Sequence, residues 1–341
     1  MKRYFFIILL CSLIVSQTAA QTPFSSEIDS LVLRGIDLTF ACLFDSAFNT
    51  YRKIIDKNPH HPIGYFYQAT TLQSKMMDLE TDRWEKEFYR LIDEAVRIGK
   101  KRLDEGDENP WTYFYLGSSY NYKGLYQVTS GGIVSGFISA QQGLGHLKKA
   151  LEMDSTIYDA YLLLGNFDYW TARFYKYLQW LPWIRDEGER GVSRVRLAME
   201  RGTFSRWASV SSLGWIEYDR KNYEEAASLF QMGLEQYPGS RFFLWGLADT
   251  YFRLKKFDRA VTIYKELLSF MKNNPFNNGY NEIVLHFKLV RSYGAQGNYE
   301  EALLHCDAIL NKKVIPEIEK RIEARREQTK KYRKECLKKQ K

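Results

Sequence analysis

The sequence predicts an all-α protein: a right-handed α-solenoid of helix-turn-helix repeats, with lengthened middle repeats and a C-terminal capping helix. Three observations lead to this fold class. Apolar residues recur at helical spacing along the chain, two successive units share one 34-residue plan, and small residues return at the same place in nearly every unit. The chain has 341 residues, 45% of them hydrophobic and 16% aromatic, so it can bury a large core.

The first twenty residues differ from the rest in composition. Lys2 and Arg3 precede an uncharged apolar run over 4–15, and small residues follow as far as Ala20. This pattern is typical of an export signal and predicts a periplasmic or cell-envelope protein, with secretion as a further option. The apolar run is short for a bilayer-spanning helix, and a retained membrane anchor is the alternative.

Seven positions, each a small or apolar residue at the middle of a first helix, mark the register of the repeats: Gly35, Ala69, Gly117, Gly165, Gly214, Ala248 and Val290. Their successive spacings are 34, 48, 48, 49, 34 and 42 residues. Three neighbouring units therefore carry nearly equal excesses, which predicts lengthened helices in place of random insertions. The spacing of 42 has a simpler cause, a loop rich in Asn, Gly and Pro over 272–281.

These spacings predict how the chain is organised. A signal peptide covers 1–20, the solenoid covers 21–311, and a basic capping helix or tail covers 312–341. The final helix carries an apolar stripe that fades into Lys and Arg, as expected of a helix that covers the last open face of a solenoid. The seven units are expected at about 28–61, 62–109, 110–157, 158–206, 207–240, 241–282 and 283–316.

Charge and cysteine content narrow the classes of partner. The formal net charge is +8, and residues 312–341 alone hold thirteen Lys and Arg against five Asp and Glu. This basic tail fits a solvated helix with i,i+4 ion pairs, with contact to an anionic lipid or polymer as the alternative. Export disfavours nucleic acid as a partner.

After residue 20 only Cys42, Cys306 and Cys336 remain. One disulfide or free thiols are therefore expected, and the fold must depend on helix packing.

The long middle units differ in character. Residues 78–107 are highly charged and predict an amphipathic surface helix, whereas 124–147 contain no Asp, Glu, Lys or Arg and are rich in glycine. The segment is too polar, through its Gln and Gly residues, for a transmembrane helix. Residues 169–184 are rich in Tyr and Trp. Peripheral membrane contact, or a small-molecule pocket lined by Tyr169, Trp170 and Trp180, is the alternative function of these segments.

Residues 206–270 resemble the tetratricopeptide repeat (TPR). Units 28–61 and 283–316 are similar to it less completely, and the middle units are similar mainly in their first helices. The long units, with Leu181-Pro182, also resemble a divergent long-helix group of the family, the TPR-39-like group. The residues that carry the main resemblance are Leu213, Gly214, Ala226, Phe230 and Pro238, followed by Leu247, Ala248, Tyr251, Ala260 and Tyr264.

The resemblance implies a non-enzymatic binding scaffold whose first helices line a concave groove. In this chain the groove positions are largely aromatic, which predicts capture of a peptide or protein partner of the cell envelope. The alternative for each aromatic side chain is packing between neighbouring helices. The predicted groove residues are Phe66, Trp111, Phe114, Asn166, Tyr169, Trp215, Tyr218, Phe242, Trp245, Phe252, Phe287 and Arg291.

No catalytic motif stands out. None of the five histidines has a metal-binding spacing with a second histidine and a helical Glu, and no Gly-x-Ser-x-Gly elbow is present. Gly131 and Gly132 are followed by no Gly-Lys-Ser/Thr, so they do not predict a phosphate loop. We therefore expect no enzyme activity, no metal and no cofactor, while the sequence sets neither the identity of the partner nor the oligomeric state.

Overall fold

A computed structural model of the chain describes Thr22, residues 24–178 and residues 187–340. Across these residues it contains fifteen α-helices and no strand. The predicted signal peptide and Leu181, Pro182, Trp180 and Trp183 lie outside the described residues. The helices are α1 Ser26–Phe40, α2 Phe44–Lys57, α3 Ile63–Leu79, α4 Glu85–Asp104, α5 Pro110–Thr129, α6 Ile133–Met153, α7 Ala160–Leu178, α8 Gly188–Arg201, α9 Arg206–Asp219, α10 Tyr223–Gln236, α11 Arg241–Arg253, α12 Phe257–Asn273, α13 Tyr280–Ala295, α14 Tyr299–Asn311 and α15 Pro316–Lys339.

Local sequence signals set several helix starts. The Ser25 hydroxyl accepts a hydrogen bond from the Ile28 N–H, and the Asn109 side chain accepts one from the Trp111 N–H at 2.9 Å. Pro110 occupies the first turn of α5, where its missing N–H costs nothing. These caps satisfy backbone donors that a helix leaves without an intrahelical partner.

The helices pack in chain order, as in a solenoid. Each helix contacts the next, and odd-numbered helices also contact one another from α1 to α11, so that they line one side of the stack. Helix α15 packs on α13 and α14, where Ile318 and Ile322 are buried beside Cys306. The predicted all-α solenoid, closed by a C-terminal helix, is confirmed.

Most helices of the middle units are longer than those of the regular units, with α8 at 14 residues and α12 at 17 as the exceptions. Helices α3 to α7 have between 17 and 21 residues, whereas α9, α10 and α11 have 13 or 14. Glycine lets the long pairs approach closely: a Cβ on Gly117 would lie 2.8 Å from the Gly143 carbonyl oxygen, and one on Gly165 would lie 2.7 Å from the Gly191 oxygen. Close backbone approach therefore joins α5 to α6 and α7 to α8.

The solenoid curves so strongly that its two halves meet. The Tyr237 hydroxyl donates to the Asp37 carboxylate at 2.7 Å, across 200 residues of sequence. Phe40 stacks on Tyr237 with ring centres 5.6 Å apart, and the Asn281 amide donates to the Asp78 carbonyl at 2.9 Å. The first two helix pairs therefore lie against α10 to α13, which converts an open stack into a closed turn.

Across the described part of the chain, helix packing holds the fold and no disulfide is formed. Cys42, Cys306 and Cys336 are free thiols, and the last two are buried. Of the helices described, none is long and apolar enough to pass through a bilayer.

Candidate functional site

Burial divides the predicted groove residues into two groups. Four are in the core: Phe66 is 5% exposed, Trp111 2%, Phe114 6% and Tyr169 3%. In this conformation these four offer almost no surface to a partner. The other eight are partly or fully exposed: Asn166, Trp215, Tyr218, Phe242, Trp245, Phe252, Phe287 and Arg291.

The tight curvature explains the burial around Trp111. Phe24, just before α1, lies with its ring centre 6.3 Å from the Trp111 ring, and Phe204, before α9, lies 5.8 Å from it. Residues from three separate units thus meet over one indole. Phe66 is covered in the same way, because the rings of Tyr115 and Tyr122 lie 5.7 and 5.4 Å from it. Packing between helices takes up the apolar surface of both side chains.

Three of the eight exposed or half-exposed residues are engaged elsewhere in the fold. Phe242 contacts Phe40, with ring centres 5.5 Å apart, where the two halves of the solenoid meet. The Arg325 guanidinium of α15 lies 5.8 Å from the Phe287 ring centre. The Asn166 amide oxygen accepts from the Ser212 hydroxyl at 2.6 Å, which links α7 to α9.

The remaining five residues lie on three consecutive first helices. Trp215 and Tyr218 are on α9, Trp245 and Phe252 are on α11, and Arg291 is on α13. The Trp215 and Tyr218 ring centres are 5.7 Å apart, and the Arg291 guanidinium lies 5.0 Å from the Phe252 ring centre. We call these five residues, with Asp249, Arg253 and Lys288 beside them, the α9–α11–α13 surface.

Polar contacts connect the aromatic side chains of this surface. The Arg253 Nε donates to the Tyr218 hydroxyl at 3.0 Å, joining α11 to α9. The Lys288 Nζ donates to the Asp249 carboxylate at 2.6 Å, joining α13 to α11, and its Nζ lies 6.0 Å from the Trp245 ring. A charged side chain therefore joins each of these helices to the next, and one of the two bonds fixes the Tyr218 hydroxyl.

Asp249 is at the centre of this network. Its carboxylate also accepts from the Tyr264 hydroxyl at 2.7 Å. Burial, together with the Asp249 charge, raises the pKa of Tyr264, so this hydroxyl stays protonated and donates. The acid balances the Lys288 charge. Arg253 and Arg291, in contrast, form no ion pair with any residue that the structure describes.

The aromatic residues of this surface and Arg291 were predicted from the sequence, whereas Asp249, Arg253 and Lys288 were not. A signal was present, because Trp245, Asp249 and Phe252 are spaced i, i+4, i+7 and share one helix face.

Two further places in the structure, a cavity and a pair of histidines, bring polar side chains together. A cavity of about 400 Å³ is lined by charged and polar side chains that include Tyr169, Arg173 and Arg220; Trp180, expected in a small-molecule pocket, lies outside the described residues. His286 and His305 face each other with their Nδ1 atoms 2.8 Å apart, and burial lowers the pKa of both. Among the residues described, no group of three or more His, Cys, Asp or Glu is arranged to hold a metal ion.

Comparison with known proteins locates the repeat. Residues 217–275, from the end of α9 to just beyond α12, match the family model described as a tetratricopeptide repeat. No curated protein matches the sequence.

Several solved structures are similar to the chain. The crystal structure of the APC/C hetero-tetramer Cut9-Hcn1 is similar at 15% identity and a TM-score of 0.49, over 78% of this chain and 43% of that chain, so the present chain spans less than half of it. PilW, described as a widely conserved type IV pilus biogenesis factor, is similar at 13% identity and a TM-score of 0.46, over 67% of this chain and 87% of that one. The C-terminal part of a TPR repeat-containing protein from Cytophaga hutchinsonii is similar at 16% identity and a TM-score of 0.44, over 82% and 94% of the two chains.

The matched repeat lies within a continuous stack of helix pairs. The chain therefore carries a tetratricopeptide repeat over residues 217–275, set within an all-helical stack.

Proposed function

We propose that the chain is a non-enzymatic scaffold that binds an extended peptide or protein segment on the α9–α11–α13 surface. A tetratricopeptide-repeat fold is that of a protein-interaction scaffold. The observation that supports this location is the row of partly exposed aromatic side chains formed by Trp215 on α9 with Trp245 and Phe252 on α11. Trp, Tyr and Arg supply most of the binding energy at protein interfaces, and aromatic rings lose little conformational freedom on binding.

The polar network favours binding because it reduces the cost of ordering. Arg253 bonded to Tyr218, and Lys288 bonded to Asp249, fix side chains that would otherwise have to be immobilised by the partner. Each rotamer-rich side chain that must be ordered costs about 0.5–1.5 kcal/mol of affinity. A surface whose side chains are already held therefore retains more of its contact energy.

The charges of the surface define the chemistry of the partner. Arg253 and Arg291 carry no carboxylate partner among the residues described, and each lies beside an aromatic ring. A segment with an aromatic or aliphatic anchor and neighbouring Asp or Glu would satisfy both features. We propose a partner of this composition.

The cellular location of the protein and its subgroup within the repeat family are proposed from the sequence. The composition of residues 1–20 supports export and a partner in the cell envelope. The long middle helices support the proposed relation to the TPR-39-like group.

Site-specific photo-cross-linking in intact cells tests the proposed surface. A photoreactive residue at Phe252 should cross-link a discrete partner, whereas one at Leu304, 61% exposed on α14, should not. Capture should fall at least tenfold in a Trp215→Ala, Trp245→Ala double variant and persist in Trp170→Ala, which changes a 38% exposed Trp elsewhere. Equal capture by both variants, with helical circular dichroism unchanged, would exclude this surface.

A further inference from the structure

The helix pair α5–α6 ends in an exposed apolar tip. Five aliphatic side chains at this end are 43–74% exposed, although nothing in the proposed binding surface involves them. They lie on the last turns of α5 and the first turns of α6, around the turn at 130–132. We call this set the apolar tip: Leu125 (47% exposed), Val128 (43%), Ile133 (69%), Val134 (74%) and Ile138 (54%).

Polarity changes stepwise along the pair. From Gly124 to Leu147 the chain carries no Asp, Glu, Lys or Arg. Past the apolar tip, α6 exposes the uncharged Gln141 and Gln142, and charge returns only at Lys148 and Lys149. A patch made to bind another protein usually has a charged or polar rim around it. On α6, charge begins about ten residues, or roughly 15 Å of helix, beyond Ile138, whereas on α5 Lys123, which is paired with Asp93, lies two residues before Leu125.

Several polar groups of the tip are hydrogen-bonded within the tip itself, although the first N–H groups of α6 have no side-chain cap. In the turn, the Gly132 N–H donates to the Gln127 carbonyl at 2.7 Å, and the Ser130 N–H donates to the Tyr126 carbonyl at 2.9 Å. The exposed hydroxyls of Thr129 and Ser135 also donate to backbone carbonyls, at 2.9 and 3.0 Å. Each polar group left without a partner costs several kcal/mol in hydrocarbon. Internal hydrogen bonds therefore lower the cost of moving this turn out of water.

The pair is also rigid enough to carry its tip as a unit. A Cβ on Gly124 would lie 2.6 Å from the Gly136 carbonyl oxygen, which shows that the two backbones are in contact next to the tip. The Ser139 hydroxyl donates to the Gln127 side chain at 2.8 Å across the same interface. The exposed aliphatic side chains are thus presented to solvent at the end of two closely packed helices.

We propose that the apolar tip inserts into the interfacial region of a lipid membrane. The tip occupies about two helical turns, roughly 8–11 Å, which matches the ~5–10 Å depth of interfacial helices. No described helix is suited to crossing a bilayer, so the contact is peripheral. A second copy of the chain is a poorer occupant, because five half-exposed side chains offer less than the ~800 Å² per partner of a standard protein interface.

A probe at the tip tests this directly. Val134→Cys carrying an environment-sensitive fluorophore should shift to the blue when the full chain meets vesicles of phosphatidylethanolamine and phosphatidylglycerol. The shift should persist at about 1 M salt, where the Debye length is ~3 Å and attraction by the basic tail is screened. The same label on Leu304→Cys should not respond. The unmodified chain, labelled in parallel, corrects for its own four cysteines.

Further variants of the labelled chain decide the outcome. Adding Ile138→Asp should abolish the shift, because a carboxylate resists entry into the interface, whereas adding Leu304→Asp should leave it unchanged. No shift at position 134, or a shift that survives Ile138→Asp, would overturn the proposal. A blue shift without vesicles that grows with protein concentration would overturn it in favour of a second copy. None of these readouts depends on the proposed partner or on the apolar run over 4–15.

Discussion

Arg241 and Asp78, 163 residues apart in sequence, form a buried bidentate ion pair. The Arg241 Nη2 lies 2.7 Å from the Asp78 Oδ2, and the two side chains are only 7% and 3% exposed. This pair connects the start of α11 to the end of α3, where the two halves of the solenoid meet. The Arg241 guanidinium also lies 3.6 Å from the Phe270 ring centre.

Asp78→Ala should destabilise the protein by about 3–5 kcal/mol, since it leaves the Arg241 charge buried and uncompensated. Urea denaturation followed by circular dichroism measures the loss. The double variant Asp78→Leu, Arg241→Met should lose less, because it buries no unpaired charge. Glu87→Ala, which breaks an exposed pair with Arg90, is the control and should cost less than about 1 kcal/mol. If Asp78→Ala loses no more unfolding free energy than Glu87→Ala, the pair has no role in closing the solenoid.

Gly124→Ala should destabilise the α5–α6 pair by about 1–3 kcal/mol. Its Cβ would lie 2.6 Å from the Gly136 carbonyl oxygen and 3.0 Å from the Ala140 nitrogen, both backbone atoms, so the two helices would have to separate. Gly145→Ala is the matched control on α6. Nothing lies within 4 Å of its Cβ, and the better helix propensity of Ala should stabilise it by up to ~1 kcal/mol. Thermal unfolding of the two variants should therefore shift in opposite directions, and a shift of the same sign would refute the close approach.

His61 should make the protein sensitive to acid. Burial, with a contribution from the Arg102 guanidinium, lowers the pKa of His61 to about 3. Its Nδ1 accepts from the Ile63 N–H at 3.2 Å, which requires the unprotonated nitrogen. The unfolded chain, with a His pKa of about 6.5, takes up the proton first. The stability is therefore complete above pH ~6.5 and falls as the pH drops towards 3, by up to ~1.4 kcal/mol per pH unit.

The His61 contribution can be isolated by denaturation at a series of pH values. His61→Gln should flatten the loss of stability between pH ~6.5 and ~4 relative to the unmodified chain. His60→Gln changes an exposed neighbour and should leave the profile as it was. Identical profiles for the two variants would show that His61 does not titrate on unfolding.

Asp159→Ala should destabilise the protein by at least about 3 kcal/mol. The Asp159 carboxylate, 2% exposed, accepts hydrogen bonds from the backbone N–H groups of Thr203, Phe204 and Ser205 at 3.1, 2.7 and 2.7 Å. Removing it leaves buried donors unsatisfied just before α9, at about 1–3 kcal/mol each. The measurement is the free energy of unfolding in urea.

Two companion variants sharpen the Asp159 result. Asp159→Asn keeps one acceptor oxygen and should give an intermediate loss. Asp154→Ala removes a half-exposed turn carboxylate bonded to Thr156 and should cost about 1 kcal/mol. If the Asp159→Ala loss is no larger than the Asp154→Ala loss, Asp159 does not hold the start of α9.

The local pattern selected aromatic residues for the candidate site, and the structure shows which of them are exposed. Trp215, Trp245 and Phe252 were selected from repeat spacing, and the structure places them half-exposed on one side of α9 and α11. Trp111 was selected by the same rule and is buried. All four residues were assigned to the groove face of a first helix, so nothing local distinguishes the buried one from the others. What differs is that Phe24 and Phe204 reach Trp111 from other units, whereas no comparable residues cover Trp245 to the same degree.

The sequence by itself determined that the chain is a stack of helix pairs with long middle units and a closing helix, because helical periodicity and repeat spacing are properties of contacts within about 50 residues. Only the tertiary structure decided which aromatic side chains remain accessible and that the charged contact of Arg241 with Asp78 closes the turn. The curvature of a solenoid is the sum of small rotations between neighbouring pairs. That sum brings together residues 160–200 positions apart, and no local pattern encodes it.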